Sequence, residues 1–191
     1  MTVIVVSCVL AVLFLLASWL VHGTRGFRLT LGMFAVAAVL VAVDQLTKLW
    51  AVQVLQYVDS IPFIPGVLEF RFTLNDGAAF SMLGGKQTFL ILFTSLALLV
   101  LTAYLVFRMP ASRLEYAAWT LVLAGGIGNL IDRVSNGAVV DFWNVLFMNF
   151  AIFNFADVLV TVGVCLLILY LIQVELREHR RKADGDGYAA A

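Results

Sequence analysis

Apolar residues fall along the chain in five long runs, at 2–21, 30–51, 88–107, 115–131 and 153–173, separated by polar or charged stretches. A helix needs about 20 apolar residues to cross a bilayer. Each run meets or nearly meets that length; the shortest, 115–131, opens on Glu115. Helix is the predicted state for all five, because backbone in lipid has no water to bond and must satisfy its own N–H and C=O groups. Between the second and third runs the pattern changes. Leu68, Phe70, Phe72 and Leu74 alternate with Glu69, Arg71 and Thr73, and that period of two predicts a half-buried strand. Pro62 and Pro65-Gly66 punctuate the loop before it, and Asn75-Asp76-Gly77 is a turn signal after it. A small sheet over about 57–80 is expected, its greasy face resting on lipid or on the protein's own helices. From Arg177 the chain is charged and then small and polar, which predicts a disordered tail over 177–191.

Composition agrees with a membrane protein. Of 191 residues 63% are hydrophobic and 13% charged, against roughly 25% charged in a soluble domain, and the mean hydropathy is +1.02. Charge then sets the orientation. Arg25, Arg28, Arg108, Arg113, Arg177, Arg180, Arg181 and Lys182 fall on one side of the predicted spans; Lys48, Arg71, Lys86 and Arg133 fall on the other. The positive-inside rule puts the larger group in the cytoplasm. The carboxyl terminus is then inside, the amino terminus outside, and the loops 52–87 and 132–152 face outward. The first run has no basic residue before it and reads as a span rather than a secretory signal peptide. The expected fold is an all-α polytopic membrane protein: an extra amino-terminal span and cytoplasmic loop over 1–29, a four-span core over 30–176, and a small extracytoplasmic β-sheet. A formal net charge of zero argues against a nucleic-acid partner. Cys8 and Cys165 lie within apolar runs and read as small core residues. His22 and His179, beside arginines at segment ends, read as interfacial rather than as ligands, and no metal or cofactor is indicated.

The candidate chemistry is carboxylate chemistry. Asp44, Asp76, Asp132, Asp141 and Asp157 are all predicted at or near the outer membrane face, where ionisable groups are expensive and mark function. Asp157 opens the last apolar run, and a short loop separates it from Asp141. Two carboxylates side by side do not easily both ionise, so one holds a proton while the other acts as base, an arrangement that activates water against a peptide bond. Competing structural roles exist for each group. Asp157 fits a first-turn acid with Asn154 as the helix cap, and Asp141 a solvated loop acid. Asp132 and Arg133 fit a local ion pair, with Arg133 additionally able to orient Asp141 or a substrate carbonyl. Asp44 has Lys48 at i+4 as a built-in partner. Asn75 and Asn129 suit substrate backbone or turns and caps equally. Gly125, Gly126 and Gly128, with Ala124 and Gly128 four apart, favour close helix approach. There is no His-Glu-x-x-His motif and no outer-face histidine to serve a nucleophile. A proton-coupled transporter would spread its acids through the bundle depth, and a non-catalytic membrane scaffold would tolerate loss of either aspartate.

At these residues the chain resembles lipoprotein signal peptidase, also called signal peptidase II. The matching pieces are Asp44-Gln45-Leu46-Thr47-Lys48, Asn75-Asp76-Gly77-Ala78-Ala79-Phe80-Ser81, Gly128-Asn129-Leu130-Ile131-Asp132-Arg133, Val139-Val140-Asp141-Phe142 and Phe153-Asn154-Phe155-Ala156-Asp157. Five pieces in the family's order, within 30 to about 175, are highly specific. The resemblance implies an intramembrane aspartyl protease with catalytic Asp141 and Asp157. Asp44, Lys48, Asn75, Gly77, Asn129, Asp132, Arg133, Asn154 and Ala156 would support them or bind substrate. It further implies a four-span core with an extracytoplasmic sheet cradling a lipidated substrate, in the bacterial inner membrane. The family removes signal peptides from prolipoproteins before the diacylglyceryl-modified cysteine, and the cyclic peptide globomycin blocks it. The run at 2–21 precedes the family's usual start.

Overall fold

The structure, a computed structural model, describes residues 2–77 and 86–189. The elements in chain order are α1 (Thr2–Val54), a short turn of 3₁₀ helix (Leu55–Tyr57), β1 (Ile61–Ile64), β2 (Leu68–Asn75), α2 (Gln87–Arg108), α3 (Arg113–Asn136), β3 (Val139–Val145) and α4 (Phe155–Ala189). All four α-helices are long and apolar enough to cross a membrane.

The two runs read as separate spans, 2–21 and 30–51, lie in one helical stretch that breaks at Gly23, whose φ of 64° and ψ of −156° are non-helical. Only glycine adopts that conformation readily. The break is a reversal. Thr30 Oγ1 donates to Ser18 Oγ at 2.8 Å across twelve residues, a separation of about 18 Å in a straight helix. Ser18 and Thr30 are both buried, and a β-carbon at Gly26 would collide with His22 and Ser18. The arm before Gly23 therefore folds back against the arm after it. The arm's apolar side chains from Val9 to Val21 are mostly exposed, as suits a lipid-facing helix.

The helix α3 is the hub, packed against α4, α1 and α2. Between lipid-embedded helices, dispersion and polar bonds drive association, and small residues permit close approach. A β-carbon at Gly125 would collide with the Ala156 carbonyl oxygen, and one at Gly128 would sit 2.5 Å from Asp44 Oδ2. The glycines read from sequence as a packing motif thus bring α3 against both α4 and α1. Ser112 caps α3 by accepting from Glu115 N–H at 3.1 Å, and Glu115 Oε2 accepts from Ala111 N–H at 2.6 Å. The exchange resembles a capping box displaced by one residue, with Ala111 rather than the cap donating, and it gives the buried Glu115 a partner.

Two sequence expectations need correction. The stretch 177–191, read as a disordered tail, continues α4 as helix through Ala189. Its first residues are good helix formers, and Glu175 pairs with His179 one turn on at 3.0 Å. Cys165, read as a core residue, is exposed on α4, where lipid rather than protein suits its small apolar side chain.

The three strands form one antiparallel sheet in the order β1-β2-β3. The alternation in 68–75 correctly predicts β2. β3, in the second loop, completes the sheet, and residues 78–80 of the expected β region lie outside the described residues. Below the sheet Ala51, Leu55, Val140 and Phe142 form a buried cluster with Phe70, Phe72 and Trp143 packed on it. Trp50 meets Phe70 edge-on at 5.2 Å, which fastens the sheet to the end of α1. The register between β2 and β3 slips between Phe70 and Thr73. Such a bulge re-aims the side chains beyond it: Thr73 pairs with Asp141, Leu74 turns out to 56% exposure, and Asn75 turns toward β3.

Candidate active site

Asp141 lies on β3, which Val139, Val140 and Phe142 hold in the buried core. Asp157 lies in the first turn of α4. Asn154 joins them. Its side chain donates to Asp141 Oδ1 at 2.6 Å, and its backbone N–H donates to Asp157 Oδ2 at 3.0 Å. In return Asp157 N–H donates to Asn154 Oδ1 at 3.0 Å. The capping role read for Asn154 is real, and the same residue reaches both acids. Asn75 Nδ2 donates to Asp141 Oδ2 at 3.0 Å, and Asn129 Nδ2 donates to Asp157 Oδ1 at 2.8 Å. Each carboxylate thus accepts two hydrogen bonds, and those from Asn75, Asn129 and Asn154 come from three separate segments.

Beneath this pair is a fully enclosed charged cluster. Asp44 is 0%, Lys48 3% and Asp132 3% exposed, so each charge needs partners. Lys48 Nζ sits 2.9 Å from Asp44 Oδ2, 3.0 Å from Asp132 Oδ2 and 2.9 Å from Asn129 Oδ1. Asp44 Oδ1 accepts from Ala156 N–H at 2.9 Å, and Asp132 Oδ2 from Val140 N–H at 3.1 Å. The cluster therefore grips the first turn of α4 and the strand carrying Asp141. Through the Lys48 contact it also fixes which face of Asn129 meets Asp157, since an amide whose oxygen accepts from an ammonium must present its NH₂ on the other side.

Of the sequence candidates, Asp44, Lys48, Asn75, Asn129, Asp132, Asp141, Asn154, Ala156 and Asp157 thus join one network. Arg133 and Gly77 flank it, with Arg133 Nη2 donating to the Gly77 carbonyl at 3.1 Å. Gly77 N–H in turn donates to Asn75 Oδ1 at 3.0 Å, which orients the Asn75 amide toward Asp141. Two expectations fail. The local Asp132–Arg133 pair does not form, because Lys48 from α1 takes Asp132 instead. Asp76 does not join the other four acids: its side chain is exposed, and its backbone carbonyl accepts from Gln87. One member was missed. Gln45 Nε2 donates to Asp132 Oδ1 at 3.0 Å and lies 3.1 Å from Asp44 Oδ2, and its one sequence signal was its place between Asp44 and Lys48.

The two aspartates differ in burial. Burial pushes the Asp141 carboxyl up to about 6, the negative charge of Asp157 adds to the rise, and the hydrogen bonds from Asn75 and Asn154 hold it back. Asp157 is only half-buried. Two acids on a shared scaffold, one of them holding its proton toward neutral pH, are suited to general acid–base chemistry.

The family model described as Signal peptidase (SPase) II matches residues 36–173. The chain belongs to the signal peptidase II family. Relatives named lipoprotein signal peptidase from Streptococcus pyogenes agree. The serotype M2 protein (strain MGAS10270) is 41% identical over 136 residues, 71% of this chain and 90% of the relative. The serotype M5 protein (strain Manfredo) is 40% identical over the same shares. Two bacterial membrane enzyme structures solved by the in meso method have the same fold. One, at 2.3 Å resolution, has a TM-score of 0.70 and 35% identity, covering 74% of this chain and 88% of that one. The other, at 1.9 Å, has a TM-score of 0.67 and 36% identity, covering 73% and 92%. The signal peptidase II match begins within α1, after the reversal at Gly23, and spans the whole Asp141–Asp157 network.

Proposed function

We propose that this chain is an intramembrane aspartyl endopeptidase that removes signal peptides from bacterial prolipoproteins, cutting before the diacylglyceryl-modified cysteine. The observation that carries the mechanism is the joining of Asp141 and Asp157, from different elements, through Asn154. Asp141, deeper and with its carboxyl pushed up to about 6, is the acid. Asp157, half-buried, is the base. Asp157 takes a proton from water as the water oxygen attacks the scissile carbonyl carbon, and Asp141 gives its proton to the carbonyl oxygen. Collapse of the tetrahedral species returns that proton to Asp141 and passes the one on Asp157 to the leaving amine, which restores both groups. Arg133 has a buried Nε–H with no acceptor among the described residues, a donor suited to substrate backbone.

The excess of basic residues at the other ends of the helices supports an outward-facing site in the cytoplasmic membrane and a cytoplasmic carboxyl terminus. The exposed apolar side chains Phe63, Ile64 and Val67 on the sheet, with Leu146, Phe147 and Met148 after β3, suit a lipidated substrate whose acyl chains remain in the bilayer. The test is a gel-shift assay of the reconstituted protein with a diacylated prolipoprotein and its unlipidated form. Cleavage of the lipidated form alone, blocked by globomycin, is expected. Cleavage of neither form, or equal cleavage of both, overturns the proposal.

A further inference from the structure

At the end of the bundle away from the aspartates lies a cleft of about 660 Å³, within the range of ligand sites. Its walls are the segment after the Gly23 reversal, with Thr24, Arg25, Arg28 and Leu29, and the loop into α3, ending at Arg113 and Tyr116. α3 from Arg113 to Asn129 spans about 24 Å, so the cleft and the aspartate network occupy opposite membrane faces. The cleft is built rather than incidental. Tyr116 Oη donates to the Leu29 carbonyl at 2.5 Å, and His22 Nε2 donates to the Phe107 carbonyl at 3.0 Å. These bonds pin the reversal to α3 and to the end of α2.

Its charge is unbalanced. Arg25, Arg28 and Arg113 have neither a carboxylate within ion-pair distance nor a hydrogen bond among the described residues. The neighbouring acid, Glu115, is buried and accepts from Ala111 N–H at 2.6 Å. Three arginines converging on one cleft match the oxygens of a phosphate ester. Leu29 and Tyr116 give the cleft an apolar side, and Leu31 and Phe107 beside it are exposed, so the pocket opens at the level where lipid headgroups lie. We propose that this cleft binds the phosphate headgroup of an anionic phospholipid, holding the amino-terminal hairpin against α2 and α3. Thr24, Arg25, Arg28 and Leu29 precede residues 36–173 matched by the family model, so four of the nine residues lining the cleft lie outside that match.

The test is native mass spectrometry of the full chain in a neutral detergent, with phosphatidylglycerol, phosphatidylcholine of the same chains, or inorganic phosphate added. Each basic residue at an anionic lipid surface contributes about fivefold in affinity. Retention of phosphatidylglycerol should therefore fall at least about tenfold in Arg25→Gln/Arg28→Gln/Arg113→Gln and persist in the triple Arg→Lys protein. Wild-type protein should retain phosphatidylcholine weakly, and inorganic phosphate should not displace the lipid. Equal retention of the two lipids by wild-type protein, or unchanged retention in the Gln variant, overturns the proposal. Displacement by inorganic phosphate at equal concentration assigns the cleft to a soluble anion and overturns the lipid assignment. Should the Gln variant not fold, the wild-type comparison and the phosphate competition decide.

Discussion

Replacing Asp141 with asparagine tests the electrostatics of the site independently of catalysis. The carboxyl is pushed up from 3.8 to about 6, chiefly by burial. A shift of about two units corresponds to about 3 kcal/mol. Because the folded state holds the proton more tightly than the unfolded chain, this group favours folding fully below pH 3.8. That contribution is lost as pH rises from 3.8 through about 6 and is absent above it. The amide of the Asp141→Asn protein would have no such dependence. It would bring its own cost, since its NH₂ must face one of the two amide donors from Asn75 and Asn154, but that cost is the same at every pH. The quantity to follow is therefore the difference in stability between variant and wild type. It should grow in the variant's favour by about 2–3 kcal/mol between pH 4 and pH 8. For a chain of this size that corresponds to about 2–4 °C in Tm per kcal/mol. Thermal unfolding of both proteins in the same detergent across that range measures it. A difference that is flat with pH, or that runs the other way, refutes the burial argument for Asp141 whatever the activity of the variant.

Asn75→Ala removes a hydrogen bond that favours ionised Asp141. The alkaline limb of the pH–kcat/KM profile should then move up by about one unit, where a merely structural loss would lower the rate at all pH values alike. Lys48→Met leaves Asp44 and Asp132 buried without their shared cation. It should cost about 3–5 kcal/mol in thermal unfolding, and it should abolish cleavage by freeing Asn129. Gly128→Ala places a methyl 2.5 Å from Asp44 Oδ2, an oxygen that Lys48 pins. A loss of about 1–3 kcal/mol from overpacking is expected, readable as a lowered Tm.

How much of this was legible in the sequence follows from the range of each interaction. The spans were legible because lipid imposes a length and a composition on any helix that crosses it, and β2 because its alternation is local. The bulge that turns Asn75 toward Asp141 was not, since it depends on the pairing partner. β3 left a trace in Val139, Val140, Phe142 and Trp143, β-branched and aromatic residues around Asp141, but the run sets its apolar residues in adjacent pairs and does not show the strict alternation that marks β2. Asp44 and Lys48 were legible as neighbours one helical turn apart. That Lys48 also bonds Asn129 and Asp132 depends on contacts across more than eighty residues, and no local pattern encodes them. The same reach defeats the Asp132–Arg133 pair: adjacent opposite charges look complete in sequence, yet the buried ammonium of another helix takes the carboxylate.

The central claim is that Asp141 and Asp157 act as one acid–base unit on the peptide bond. Single-turnover cleavage of a diacylated prolipoprotein by reconstituted wild-type, Asp141→Asn and Asp157→Asn proteins tests it most directly. Each substitution alone should lower the rate by at least about a hundredfold, with both proteins still folded. A wild-type rate from either variant would contradict the account.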